Sequence, residues 1–127
     1  MSSKPIPQKL VLETAIELMS RAAIDIPPDY KQALRAAASK ETEDLSCFVI
    51  KTMLDNYDVA EQDRRPMCAD TGLPRFYVKA GNDVSVEGGF VALERSLRQS
   101  VVTGTQNIPL RPNRVHPLSR KDNNNNL

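Results

Sequence analysis

Tryptophan is absent, histidine occurs once and cysteine twice in this chain of 127 residues. A single histidine leaves little room for a hydrolytic relay, which needs a nucleophile near the imidazole and a carboxylate behind it. The stretch His116-Pro117-Leu118-Ser119 has no such arrangement and reads as loop. Neither charge sign dominates: 17 Lys+Arg face 16 Asp+Glu, for a net charge of +1. That balance argues against a dedicated nucleic-acid binder, which needs a basic excess to neutralise phosphates. Long apolar runs are missing too, and nothing approaches the roughly 18 residues of a membrane helix. The N-terminus leads into a segment carrying Glu13, Glu17 and Arg21, unlike the uncharged centre of a signal peptide. Two cysteines without an export signal read as reduced thiols, so the expected location is the cytoplasm. Gly88-Gly89 and Thr103-Gly104-Thr105 match neither a phosphate loop nor a dinucleotide fingerprint.

What is present is mostly helical periodicity. From Gln8 to about Ile26, Leu12, Ile16, Met19, Ala23 and Ile26 recur at steps of three and four. Val11, Ala15, Leu18 and Ala22 form an adjoining stripe, so this helix wants partners on two sides. Pro27-Pro28 ends it, and Asp29 is placed to cap an Ala-rich second helix through Ala38. Thr42 is the expected cap of a third helix running through Leu45, Phe48, Met53 and Tyr57. After a turn around Asp70 to Pro74, Arg75 to Ala80 reads as a short strand, with a further strand or helix entry near Val84 to Val86. Phe90, Leu93, Leu97 and Val101 mark a fourth helix that Thr103-Gly104 is expected to end. About twenty residues of Pro-rich loop follow. The expected class is therefore α+β, mainly helical with one or two short strands, in one domain.

Few residues carry chemistry. Pro66-Met67-Cys68-Ala69-Asp70-Thr71-Gly72-Leu73-Pro74 fixes a thiol and a carboxylate on a constrained backbone. Thiolates ligate soft metals and iron–sulfur clusters, and a carboxylate moves protons. A lone cysteine of this kind is also commonly an inert residue. Cys47 lies on an apolar helical stretch and reads as core. A cubane cluster needs three or four cysteines, so Cys68 alone does not hold one. Arg111 is a solvated loop arginine or a fork that clamps a carboxylate. With Arg114, Arg120 and Lys121 it also forms a basic tail, but no aromatic is interleaved for base stacking.

From Pro66 to Pro74, followed by Arg75-Phe76-Tyr77-Val78-Lys79, the chain resembles the iron–sulfur hydro-lyases of the class I fumarase and L-tartrate dehydratase family. The likeness is to the N-terminal part of the alpha subunit or alpha-type catalytic domain. It extends to Pro109-Leu110-Arg111-Pro112-Asn113 and the Asn123 to Asn126 run, so it spans most of residues 1–127. The resemblance implies a [4Fe–4S] cluster with Cys68 as one ligand and one iron open to substrate as a Lewis acid. It implies Asp70 as an active-site carboxylate and Arg111 as the clamp for a carboxylate of a C4 dicarboxylate, fumarate or L-malate first and L-tartrate next. Many relatives carry Gln after the ligand cysteine; Ala69 replaces it here. The resemblance further implies a beta subunit or beta-type domain, an oligomer, and cluster ligands beyond the Asn-rich stretch. The chain is thus expected to be a truncated alpha portion without activity by itself. A non-catalytic helical interaction module is the alternative, and a basic-tailed RNA binder a distant third.

Overall fold

A computed structural model describes residues 4–68, 72–112, 114–122 and 124–127. Four helices carry the fold: α1 (Gln8–Ile24), α2 (Pro28–Ala38), α3 (Asp44–Asp63) and α4 (Gly89–Asn107). They associate in pairs, α1 with α4 and α2 with α3. No helix among the described residues is long and apolar enough to cross a membrane.

The α1–α4 pair holds the apolar core. Met19, Ile24, Val101, Ile108 and Leu110 are buried together, with Ile16, Ala23, Phe76 and Leu127 packed on them. The stripe expected on α1 does point inward, but its adjoining stripe is only half used, because Leu18 and Ala22 remain exposed. On α4 the expected Val101 is buried and Leu93 and Leu97 are half-buried, while Phe90 is exposed and a second stripe carries most of the burial. Ala92, Ser96, Ser100 and Gly104, spaced four apart, are all buried, so small side chains form the packed ridge. The expected stop at Thr103-Gly104 is therefore corrected: α4 continues to Asn107, and Gly104 is a contact point. A Cβ on Gly104 would lie 2.9 Å from Met19 Cε, so the glycine lets α1 come close.

The α2–α3 pair is joined by polar groups. Lys31 Nζ donates to Asp58 Oδ1 at 2.8 Å and to Glu61 Oε2 at 2.9 Å. Tyr30 and Tyr57 meet beside it with ring centroids 6.4 Å apart. The expected caps are also corrected here. Pro28 occupies the first position of α2, where a missing N–H costs nothing, and Asp29 lies in the first turn. At α3 no side chain caps the helix; Glu41 Oε1 instead accepts the N–H groups of Thr42 at 2.8 Å and Glu43 at 3.1 Å in the turn before it. Those two bonds, Glu43 first, hold the Glu41 carboxyl below its ordinary value.

The helical expectation holds, and the strands dwindle to isolated bridges among the described residues. Ile6 pairs with Val86 in parallel, and Val115 with Asp122 antiparallel. Residues 75–80, expected as a strand, form none. A strand needs a neighbour to exchange backbone hydrogen bonds, and none of the described residues forms a bridge with this segment. Phe76 packs on the core instead, while Tyr77 is 91% exposed. The Pro-rich tail is more ordered than a bare loop, for it turns back at residues 116–121 and reaches the core through Leu127.

Candidate functional site

Cys68 follows a short tether that begins at the end of α3. Arg64 closes that helix in the left-handed region at φ 52°, and the Arg65 N–H donates to the Ala60 carbonyl at 3.0 Å. Two further bonds fix the residue before the cysteine. The Met67 N–H donates to the Ala23 carbonyl at 3.3 Å, and Asn56 Nδ2 donates to the Met67 carbonyl at 2.9 Å. An Arg64–Asp25 ion pair joins the ends of α1 and α3 in the same place. Both partners are about half exposed, so the pair contributes little energy and mainly sets direction. The result is an exposed thiol on a fixed shoulder between two helices.

Arg111 is also exposed, yet its backbone is anchored on both sides. Leu110 before it is buried in the core and donates its N–H to the Thr105 carbonyl at 3.2 Å. The Arg111 carbonyl accepts a hydrogen bond from Asn126 Nδ2 at 3.1 Å. Asp70 lies outside the described residues, as do Ala69 and Thr71.

One cavity borders the Leu110 anchor. It has a volume of about 460 Å³ and is bordered by Met19 and Ala23 of α1, by residues 73–77, and by Leu110. Ala23 is the residue that tethers Met67, and Leu110 immediately precedes Arg111. Neither Cys68 nor Arg111 is itself among the residues that line the hollow. Its lining is apolar apart from Arg75 and the Tyr77 phenol.

The donor set for a metal is thin. Among the described residues no group of three or more His, Cys, Asp or Glu could hold an ion. Cys47 is half-buried in the first turn of α3, and its thiol donates to the Glu41 carbonyl at 3.5 Å. His116 shapes a turn: its Nδ1 accepts the N–H groups of Leu118 at 3.3 Å and Ser119 at 3.1 Å. That agrees with its reading as a loop histidine.

Two features escaped sequence reasoning. Lys31 is buried by its pair of carboxylates, which raise its affinity for the proton, Asp58 foremost, while Lys31 in turn holds the Asp58 carboxyl below its ordinary value. Asp58 and Glu61, three apart on α3, were the available signal. The other is Asn126, 4% exposed, which an Asn-rich stretch did not announce.

Comparison with known proteins adds the family. Residues 12–127 match the model for fumarate hydratase (Fumerase). A Methanocaldococcus jannaschii protein named for an L(+)-tartrate dehydratase alpha subunit is 33% identical over 117 residues, covering 92% of this chain and 41% of the relative. The L(+)-tartrate dehydratase alpha subunit of Escherichia coli K12 is 34% identical over 90 residues, 71% of this chain and 29% of the relative. A Geobacillus stearothermophilus protein named for a class I fumarate hydratase is 26% identical over 116 residues, 91% of this chain and 22% of the relative. The chain therefore spans less than half the length of these relatives. With a match from residue 12 to residue 127, it belongs to the fumarate hydratase (Fumerase) family.

Proposed function

We propose that this chain supplies one part of the active site of a hydro-lyase that adds water to, or removes it from, a C4 dicarboxylate. The observation that carries this is the Cys68-x-Asp70-Thr71-Gly72 motif joined to Arg111 in a chain of this family. Fumarate and L-malate are the favoured pair, with L-tartrate next; relatives are named for both activities.

The chemistry divides among three residues. Arg111 offers a guanidinium whose fork matches a carboxylate with two parallel N–H bonds. Its anchored backbone limits the ordering that substrate binding must still achieve. Asp70 moves the proton at the substrate carbon or orients the attacking water. Cys68, exposed and tethered, suits a thiolate ligand. A [4Fe–4S] cluster, when bound, supplies a Lewis-acidic iron to the substrate hydroxyl.

The residues present do not by themselves make a cluster site. A cubane takes three or four thiolates, and the chain has two cysteines. Cys47 is not a second ligand here. Asn56, which tethers the residue before Cys68, lies about 13 Å of helix rise from Cys47. The remaining ligands therefore come from outside these 127 residues, and so do the other substrate contacts, from a beta-type partner or domain.

Anaerobic reconstitution of the purified chain with iron and sulfide tests the composite site. The expected result is no hydration of fumarate above background. Robust malate or fumarate turnover by the chain alone would refute it. An interaction module remains the second proposal, because Leu45, Phe48 and Val49 are exposed along α3. An obligate partner bound without any cluster absorbance favours that alternative.

A further inference from the structure

The Asn-rich stretch holds a side chain that the proposed chemistry does not use. Asn126 is 4% exposed, and its amide nitrogen donates to the Arg111 carbonyl at 3.1 Å and to Thr105 Oγ1 at 3.3 Å. Thr105 is itself fixed in α4, its hydroxyl donating to the Val101 carbonyl at 2.7 Å. The neighbour Leu127 packs on the cluster that contains Leu110. Asn126 thus ties three things together: the last turns of α4, the backbone of Arg111 and the apolar core.

Its identity follows from two demands made at one position. Asn126 has φ 60° and Asn124 φ 56°, in the left-handed region that asparagine tolerates better than most side chains. The Arg111 carbonyl and the Thr105 hydroxyl both accept from this one residue. Glycine meets the first demand alone. Aspartate fits the backbone but presents acceptors to a carbonyl. Asparagine satisfies both.

We infer that Asn126 is a positioning residue for Arg111: by donating to the Arg111 carbonyl it holds the arginine's backbone so that the exposed guanidinium meets a substrate carboxylate already aimed. This rests on Arg111 being the carboxylate clamp, and it adds the group that aims the clamp. The energetic sense is preorganisation. A flexible loop loses conformational freedom when the carboxylate binds, whereas a pinned one has lost it on folding.

The test compares the 127-residue chain with its Asn126→Gly and Asn126→Asp forms by NMR. Both variants keep a residue that tolerates the left-handed backbone, and both remove the donor. The expected result is a shift of the Arg111 carbonyl resonance and Leu110 amide exchange faster by about tenfold. Amides of α2 and α3 should be unchanged. In titrations with L-malate and with L-tartrate, the Arg111 Nε–H resonance should need several-fold more ligand in either variant, while Thr105→Ser, which keeps the hydroxyl, behaves as the parent. Unchanged Leu110 exchange and an unmoved Arg111 carbonyl in both variants would overturn the inference. If the parent's Arg111 responds to neither acid, the clamp is lost and the aiming role with it, whereas the exchange data still report whether Asn126 pins the loop. Should both variants unfold, the parent decides: Asn126 Nδ2 protons exchanging at the rate of an exposed amide contradict the proposal, and protected ones support it.

Discussion

The two helix pairs of this chain are held together by different physics. The α1–α4 pair is close and apolar, with a ridge of small residues on α4 and a core completed by Phe76 and Leu127 from the loops. The α2–α3 pair is joined by a lysine between two carboxylates and by two tyrosines, and it leaves Leu45 and Phe48 exposed at 76% and 66%. Arg111 and the tether of Cys68 both attach to the apolar half, through Leu110 and Ala23. A candidate site needs fixed geometry, and close packing supplies that more firmly than solvent-facing ion pairs do. The polar half brings Asn56 to the same tether and otherwise offers bare surface.

The apolar half is most vulnerable at Ile24, which is 2% exposed. Ile24→Ala should cost about 2–5 kcal/mol in denaturant unfolding through the transfer and cavity terms together. It should also loosen the segments around Met67 and Leu110. A loss below about 0.5 kcal/mol would mean the apolar half is not what holds the chain.

Next comes Gly104. Replacement by Leu should destabilise by about 1–3 kcal/mol through overpacking against α1. Replacement by Ala should be far milder, because the obstructing atom is the flexible end of Met19 and alanine favours helix. A thermal melt of both variants separates a true close approach from a mere helix defect; equal effects would argue against the close approach.

The polar half should respond to pH where the apolar half does not. Asp58 is held below its ordinary value by Lys31, so its contribution is present above the usual aspartate range, about pH 4, and is lost as pH falls through the lowered value. Lys31 is held above its ordinary value, so its contribution is complete below the usual lysine pKa, about 10.4, and is lost as pH rises through the raised one. Amide exchange in α2 should therefore quicken at both extremes, and Lys31→Met should flatten that profile. A profile unchanged by Lys31→Met would remove the triad from the account.

The smallest effect on stability belongs to Phe48→Ser, within about 0.5 kcal/mol, since the ring is already in solvent. Its effect on association should be plain. Light scattering should show the parent chain associating and the variant less so, because exposed apolar patches drive contact between molecules. A parent that is cleanly monomeric would count against an uncovered face.

The four helices were legible because each carries a local repeat. Leu12, Ile16, Met19 and Ala23 state the inward face of α1 without any knowledge of its partner. Pairing was not legible, since it depends on what lies opposite. Residues 75–80 have strand composition and no strand, since none of the described residues forms a bridge with them. Gly104 has the look of a stop signal, and only the approach of Met19 turns it into a contact. Ser96 and Ser100 carry no apolar signal, yet they are buried in a ridge of small side chains. At the candidate site, Cys68 and Arg111 stood out only through family resemblance; spacing alone left them as an ordinary thiol and an ordinary loop arginine. Asp70 falls outside the described residues. Asn126 was invisible because asparagine runs suggest exposed loop, and its burial follows from the way the tail folds back onto Thr105 and Arg111.

We propose that the thiol at position 68 is a cluster ligand in a site completed by residues other than these 127. The direct measurement replaces the matched segment of the Methanocaldococcus jannaschii relative with this chain, reconstitutes the chimera anaerobically, and records iron–sulfur absorbance with and without Cys68→Ser. The account predicts a cluster in the chimera, sharply reduced or lost on Cys68→Ser, while Cys47→Ser retains it. Full cluster content in the Cys68→Ser chimera would contradict it.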